Sequence, residues 1–389
     1  MMRRAVAAAA AAAAALTLLA QPAQAQGHHR WVVAAGGAAL GLGLTAVYSA
    51  GNYSRSLGWC SSVQCVGIAT TVGGGFLGYL IGRDQDERYR MRYRVAPPFE
   101  APNRSRILRT RPTGLELGGG VVAVSGDEGV ELVSATPALD YLGHRARGLR
   151  DIHDVSLPAD SARFLVGTST GLYLFAVSGE AAGLRALDGE VSAIAMRGDR
   201  VAVAAPGVLR IGTVAGDSVR WRIDTLALAG RVADARWQDD STLWLLTDRQ
   251  LASYRLPADS PATRLASVDL EGPARRLTIR DTLAAVAAGA AGVYLVQIND
   301  PTLPRVLAHW SEPRFVYDVA LWGGDMYVAA GPEGLYVLRP GVGRLEAIGL
   351  ARSVGFVAAL AAGSDALYAL DRTGGVLRRI EQKPAPTGR

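Results

Sequence analysis

A phrase of about 40 residues returns seven times between Leu115 and the C-terminus, and no other property of this chain restricts its fold as much. The clearest copy is Val316–Pro340, VYDVALWGGDMYVAAGPEGLYVLRP. An apolar strand is followed by a Gly/Asp turn, a second strand, another glycine turn and a third strand. Such a unit cannot bury both its faces alone, so copies must pack against one another. Radial packing of four-stranded units gives a β-propeller.

Aligned innermost strands are TGLELG at Thr113, DIHDVSL at Asp151, VSAIAM at Val191, VADARW at Val232, ARRLTI at Ala274, VYDVAL at Val316 and VGFVAAL at Val354. Seven blades are therefore expected over residues 105–382, with helix nearly absent. Alternation of apolar residues between Gly, Asp and Pro supports strands. TLAAVAAGAAG at Thr282 has a helical composition, but its register with the other copies makes it strand. Six repeats carry a fourth segment, such as PRVLAHW at Pro304, whereas the seventh ends near Glu381. The unassigned segment SRILRT, Ser105–Thr110, is predicted to supply the missing strand and close the ring.

GVYLVQINDPTLPRVLAHW and YDVALWGGDMYVAAGPEGLYVLRP resemble the LVIVD-repeat propeller family. The family phrase is a strand with Asp-Val-Ala, then a strand ending in Ala, then a Gly-Leu-x-Val-x-Asp strand before Pro. The match is good over Asp318–Pro340 and Gly292–Val306, fair over His153–Ser178, and poor over Val191–Leu228 and Val232–Leu270. The resemblance implies an envelope-associated binding propeller with no shared catalytic residues.

The N-terminal residues read differently. Arg3 and Arg4, the apolar run Ala5–Ala20 and an Ala-x-Ala exit predict a signal peptide over 1–25. Trp31–Ala50 and Val66–Gly82 are uncharged and about as long as a bilayer crossing requires. Gly37 and Gly41 in the first, and Gly74, Gly78 and Gly82 in the second, fall at four-residue spacing, so each set shares a helix face. Residues 26–82 thus resemble the glycine-zipper hairpins of bacterial envelope proteins, whose packing offers a route to homo-oligomers. Cys60 and Cys65, the chain's two cysteines, are a disulfide candidate in an oxidising compartment.

Residues 83–104 form a linker. RDQDERYRMRYR prolongs the second helix and places Arg88, Tyr89, Arg92 and Tyr93 where a lipid headgroup layer would lie. VAPPFEAP, Val95–Pro102, breaks the helix. Residues 383–389 read as a disordered tail. These features together predict a propeller secreted across the inner membrane, tethered by the hairpin and facing the periplasm.

Charge is unevenly placed. Nine arginines face four acids over Arg83–Pro112, whereas the chain from Thr113 onward is slightly acidic. A basic linker on a near-neutral domain does not suit nucleic-acid binding. No phosphate loop, Ser-His-Asp order or Cys/His cluster is present, and no cofactor is expected. Propeller ligands would meet inner-strand side chains at the channel mouth. The aligned column there holds Asp154, Ala193, Asp234, Arg276, Asp318 and Phe356, flanked by His153, Arg275 and Tyr317. Asp154, Asp234, Asp318 and Arg276, with His153 and Tyr317, are the candidate ligand-binding set for an unidentified protein or peptide. An alternative is that each aspartate accepts backbone N–H bonds and fixes its blade. A second functional class is a propeller hydrolase, lactonase or metal-binding enzyme, for which His153 beside Asp154 is the one His–Asp neighbour pair. His144 and His309 read as ordinary surface or strand-end residues.

Overall fold

The computed structural model describes residues 104–381 apart from 159–161, 180–182, 223–224, 229 and 258–260. The predicted signal peptide, hairpin glycines, cysteine pair, Arg/Tyr stretch and tail lie outside the described residues. Among those described, seven antiparallel sheets account for every strand, and the one helical element is a 3-10 turn at Arg352–Val354. The inner strands are Pro112–Gly118, Ile152–Ser156, Ala193–Arg197, Val232–Trp237, Arg276–Arg280, Asp318–Trp322 and Val357–Ala362. Each falls within or beside its predicted segment, and we number the blades one to seven in that order. Each inner strand neighbours the next around a ring, and the first neighbours the last.

The ring is closed as expected. Blade seven has three strands of its own, and Arg104–Ile107 adds the fourth, antiparallel to Val376–Ile380. Ser105 lies opposite Arg378, and Ile107 opposite Val376. Leu108 N–H then donates to the carbonyl of Gly375. Buried Glu131 holds the returning chain from blade one by accepting the backbone N–H of Arg109 at 2.8 Å. Blade three departs from the common plan with a short fifth segment, Leu226–Ala227, paired with its third strand.

There is no single core. Apolar side chains form clusters between neighbouring blades, and each central strand divides its residues between two of them. In blade one, Val121 and Ala123 face blade two, while Val122 and Val124 face blade seven. In blade four, Leu243 and Leu245 pack toward blade three, while Trp244 and Leu246 pack toward blade five. Side chains alternate across a strand, so a sheet covered on both faces needs both sets apolar. This is why the second strands read as continuous apolar runs, and why TLAAVAAG is strand despite its alanines. Full burial of Trp244, Tyr327 and Phe164 stabilises each interface by about 2–3 kcal/mol per side chain.

The repeated A-A-G-x-x-G phrase has a specific cause. In blade six, Ala330 N–H donates to Gly334 O, and the turn requires φ of 57° at Gly331 and 99° at Gly334. A Cβ at Gly334 would lie 2.5 Å from the carbonyl oxygen of Ala351. Gly331 also exchanges two backbone hydrogen bonds with Val357 of blade seven, so the turn is part of the seam between blades.

Replacing Arg104–Ile107 by a Gly-Ser tetrapeptide should leave the last strand of blade seven as a bare edge. The expected result is a lower Tm by scanning calorimetry and a larger share of dimers and higher species in size-exclusion chromatography. Unchanged behaviour in both would mean that this strand does not close the ring.

Candidate functional site

The pairing register fixes which inner-strand residues share one level of the channel. They are Gly114, Asp154, Ala193, Asp234, Arg276, Asp318 and Ala359. Six of the seven blades agree with the sequence column or extend it. Blade seven does not: Phe356 lies three residues too early. The alignment sets Val354 against Val316, whereas Val357 holds the equivalent place: Val316 bridges Gly289, and Val357 bridges Gly331.

Asp154, Asp234 and Asp318 carry the same two hydrogen bonds. One oxygen accepts the N–H of the next residue, Val155, Ala235 or Val319, at 2.8–3.0 Å. The other accepts an N–H from the following blade, Ile194, Leu277 or Leu360, at 2.8–2.9 Å. The aspartates therefore join blade two to three, four to five and six to seven. The donors are backbone amides that would otherwise lack partners at the inner edge of each sheet.

Two arginines cross the channel. Arg276 of blade five places Nη1 3.6 Å from Asp154 Oδ1 of blade two. A Cβ at Gly114 would lie 3.7 Å from Arg276 Nη2, so the guanidinium also reaches the backbone of blade one. Arg236 of blade four donates to Glu116 Oε2 of blade one at 3.2 Å and lies 3.5 Å from Asp234 Oδ1. Its Nε also donates to the carbonyl of Leu277. Glu116 and Arg236 are absent from the sequence column because they lie two residues beyond it. Residues i and i+2 of a strand share a face, so extending Gly114 and Asp234 by two would have found both.

The remaining cavity at this level is about 170 Å³, lined by Glu116, Asp234, Arg236, Arg276 and Asp318. Three carboxylates and two guanidiniums line it, and Asp154 pairs with Arg276 beside it. Burial is the main force on the carboxylates. It raises Glu116 to about 7 against the opposing charge of Arg236. It raises Asp154 to about 6, reinforced by Asp234 and opposed by Arg236 and Arg276. It raises Asp318 to about 6 against Arg276 and the two amides it accepts. Burial also disfavours the charge on Arg236, but Asp234 and Glu116 outweigh it and hold that group well above its ordinary range. Among the described residues, no set of three His, Cys, Asp or Glu side chains is arranged to hold a metal ion.

His153 and Tyr317 occupy the preceding position on their strands and do not join this cluster. His153 Nδ1 lies 3.0 Å from the carbonyl of Val191, so it donates to blade three. Tyr317 stands in an aromatic group with Phe315 and Phe356, at ring-centre distances of 4.7 and 5.2 Å. The guanidinium of Arg275 lies 5.2 Å over Phe315. All three rings are partly exposed at the end of the channel where the inner strands begin.

No protein-family model matches the chain, and no curated protein matches it. Solved structures do resemble it. A chain in the crystal structure of the Mitotic Checkpoint Complex gives a TM-score of 0.60 at 13% identity, covering 74% of this chain and 98% of that one. The WD40 β-propeller domain of Doa1 gives 0.53 at 16%, covering 73% and 95%. The computationally designed Ika8 protein gives 0.51 at 12%, covering 71% and 98%. At these identities the likeness establishes the fold alone. The chain is a seven-bladed β-propeller whose channel is crossed by ion pairs.

Asp234→Ala should be strongly destabilising. It strands two buried amides and removes a partner of Arg236, a loss of about 3–5 kcal/mol in denaturant unfolding. A cost below about 1 kcal/mol would show that the staple is dispensable. The pH dependence has a definite sign. Glu116, Asp154 and Asp318 titrate higher in the folded state than unfolded, so the folded state binds more protons between about pH 4 and 7. These groups destabilise the fold above about pH 7, and that penalty is relieved as pH falls toward 5. Glu116→Gln should therefore flatten the rise in Tm measured from pH 8 to pH 5.5. A wild-type Tm that falls over the same interval, equally in the variant, would contradict this.

Proposed function

We propose that this propeller is a non-catalytic module that binds protein or peptide in the cell envelope, held at a membrane by the residues that precede it. The observation that carries the reading is the aromatic mouth. Phe315, Tyr317 and Phe356 stand partly exposed around it, with Arg275 over one ring. Aromatic and arginine side chains grouped in this way are the residues that dominate protein interfaces. Below them the aspartates are occupied with backbone amides, which favours binding at the mouth over chemistry in the channel. The propeller likenesses agree with a scaffold role at the level of fold. His153, the histidine of the one His–Asp neighbour pair, is bonded to Val191 rather than facing the channel. The envelope location rests on the signal-like and glycine-zipper sequence, and the LVIVD-like repeats are compatible with it.

Affinity capture with the full-length chain from a detergent-solubilised envelope fraction tests the binding role. Tyr317→Ala combined with Phe356→Ala should lower the amount of captured protein about tenfold, with the far-UV circular dichroism unchanged. Undiminished capture by the folded double variant would rule out the mouth. Deleting residues 26–82 should move the protein from the membrane pellet to the soluble fraction, and failure to do so would rule out the tether.

A further inference from the structure

The outer part of the cleft between blades one and two contains a buried arginine that no carboxylate among the described residues pairs with. Arg145 ends the outer strand of blade one, Tyr141–Arg145, and is only 8% exposed. The other buried arginine among the described residues, Arg379, is held by Asp365 and Glu381. Among the described residues, no carboxylate lies within ion-pair distance of Arg145. Its Nη2 donates to the carbonyl of Val177 at 3.2 Å and its Nη1 to that of His144 at 3.4 Å, while Nε has no hydrogen-bond partner. A buried guanidinium left without an anion is costly. The chain instead makes room for it: Gly143, at φ 149°, leaves the side chain free to fold back where a Cβ would collide with the guanidinium.

Arg145 faces a cavity of about 730 Å³, a size suited to a small organic ligand. Arg109 and Arg147 line the same cavity and are also free of ion pairs among the described residues. Arg109 is positioned with its guanidinium 4.2 Å over the ring of Tyr141. Tyr173 and Phe175 supply a partly apolar wall from blade two. The nearest acid across the sheet, Glu131, is already engaged by Arg106 at 3.6 Å and by the backbone of Arg109. His144, an ordinary strand residue by sequence, also lines this cavity, and its Nε2 is buried without a partner.

We propose that this cleft binds a small organic oxyanion, a carboxylate or phosphate carried on an aromatic body, with Arg145 as its charge partner and Tyr141 and Tyr173 against the body. Charge-assisted bonds from a guanidinium suit both head groups, and the aromatic walls exceed what a bare ion needs. The site is independent of the aromatic mouth, which lies at the channel.

Isothermal titration of the full-length chain with benzoate, phenyl phosphate, inorganic phosphate and neutral benzamide, at constant ionic strength, tests it. Benzoate or phenyl phosphate should bind, whichever is tighter identifying the head group, and benzamide should not. Arg145→Met should weaken the tighter ligand at least about tenfold. Should that variant fail to fold, the exposed pair Arg109→Gln and Arg147→Gln should still weaken binding about threefold. The proposal is overturned if neither organic anion binds, if benzamide or inorganic phosphate binds equally well, or if the folded variants bind as tightly as wild type.

Discussion

Bonds between neighbouring blades at the channel wall hold the architecture in register. Each blade is a meander, and in blades three, five and seven the inner strand turns an amide toward the preceding blade. Three aspartates satisfy these at alternate seams, using one oxygen for their own strand and one for the neighbour. Elsewhere hydroxyls and rings do related work: Ser156 accepts from Met196, Thr278 donates to Val319, and Trp237 donates to Ala195. The apolar layers supply most of the stabilisation but little direction, since area removed from water is non-directional. The polar seam bonds are what fix the angle and height of one sheet against the next.

That role explains why charge accumulates where solvent has limited access. An aspartate in each of blades two, four and six brings three negative groups to one level, and Glu116 adds a fourth below. Arg236 and Arg276 offset part of this, each by crossing to a blade three places away around the ring. Burial, with the neighbouring carboxylates adding to it, makes Glu116, Asp154 and Asp318 resist ionisation despite the two arginines. The channel is thus a structural element first, and its narrowness follows from the side chains that brace it.

Much of this was legible in the sequence and some was not, for physical reasons. The repeat period set the number of sheets, because turn glycines recur wherever φ must be positive. The closing strand followed from arithmetic: six repeats with four segments, one with three, and one spare segment upstream. Asp154, Asp234, Arg276 and Asp318 could be aligned because their neighbours repeat. Phe356 was misplaced because VGFV offers two valines three residues apart, and the earlier one was set against Val316 although Val357 makes the equivalent bridge. Glu116 and Arg236 escaped because only one level of the channel was aligned. Arg145 could not be singled out at all: its burial depends on a glycine two residues earlier and on a carbonyl from another blade.

The pairing of Arg104–Ile107 with Val376–Arg379 joins residues about 270 positions apart, while most other strand pairs are hairpin neighbours. Hairpins can form as soon as their two strands exist, but this contact must wait for nearly the whole domain to be available. Emerging N-terminus first, the chain would hold six complete sheets while the outer strand of the seventh, made first, still waited for its partner. Assembly of the ring is therefore gated by its final segment, and a chain interrupted late would leave blade seven without its last strand, Val376–Ile380, and the upstream segment without its partner.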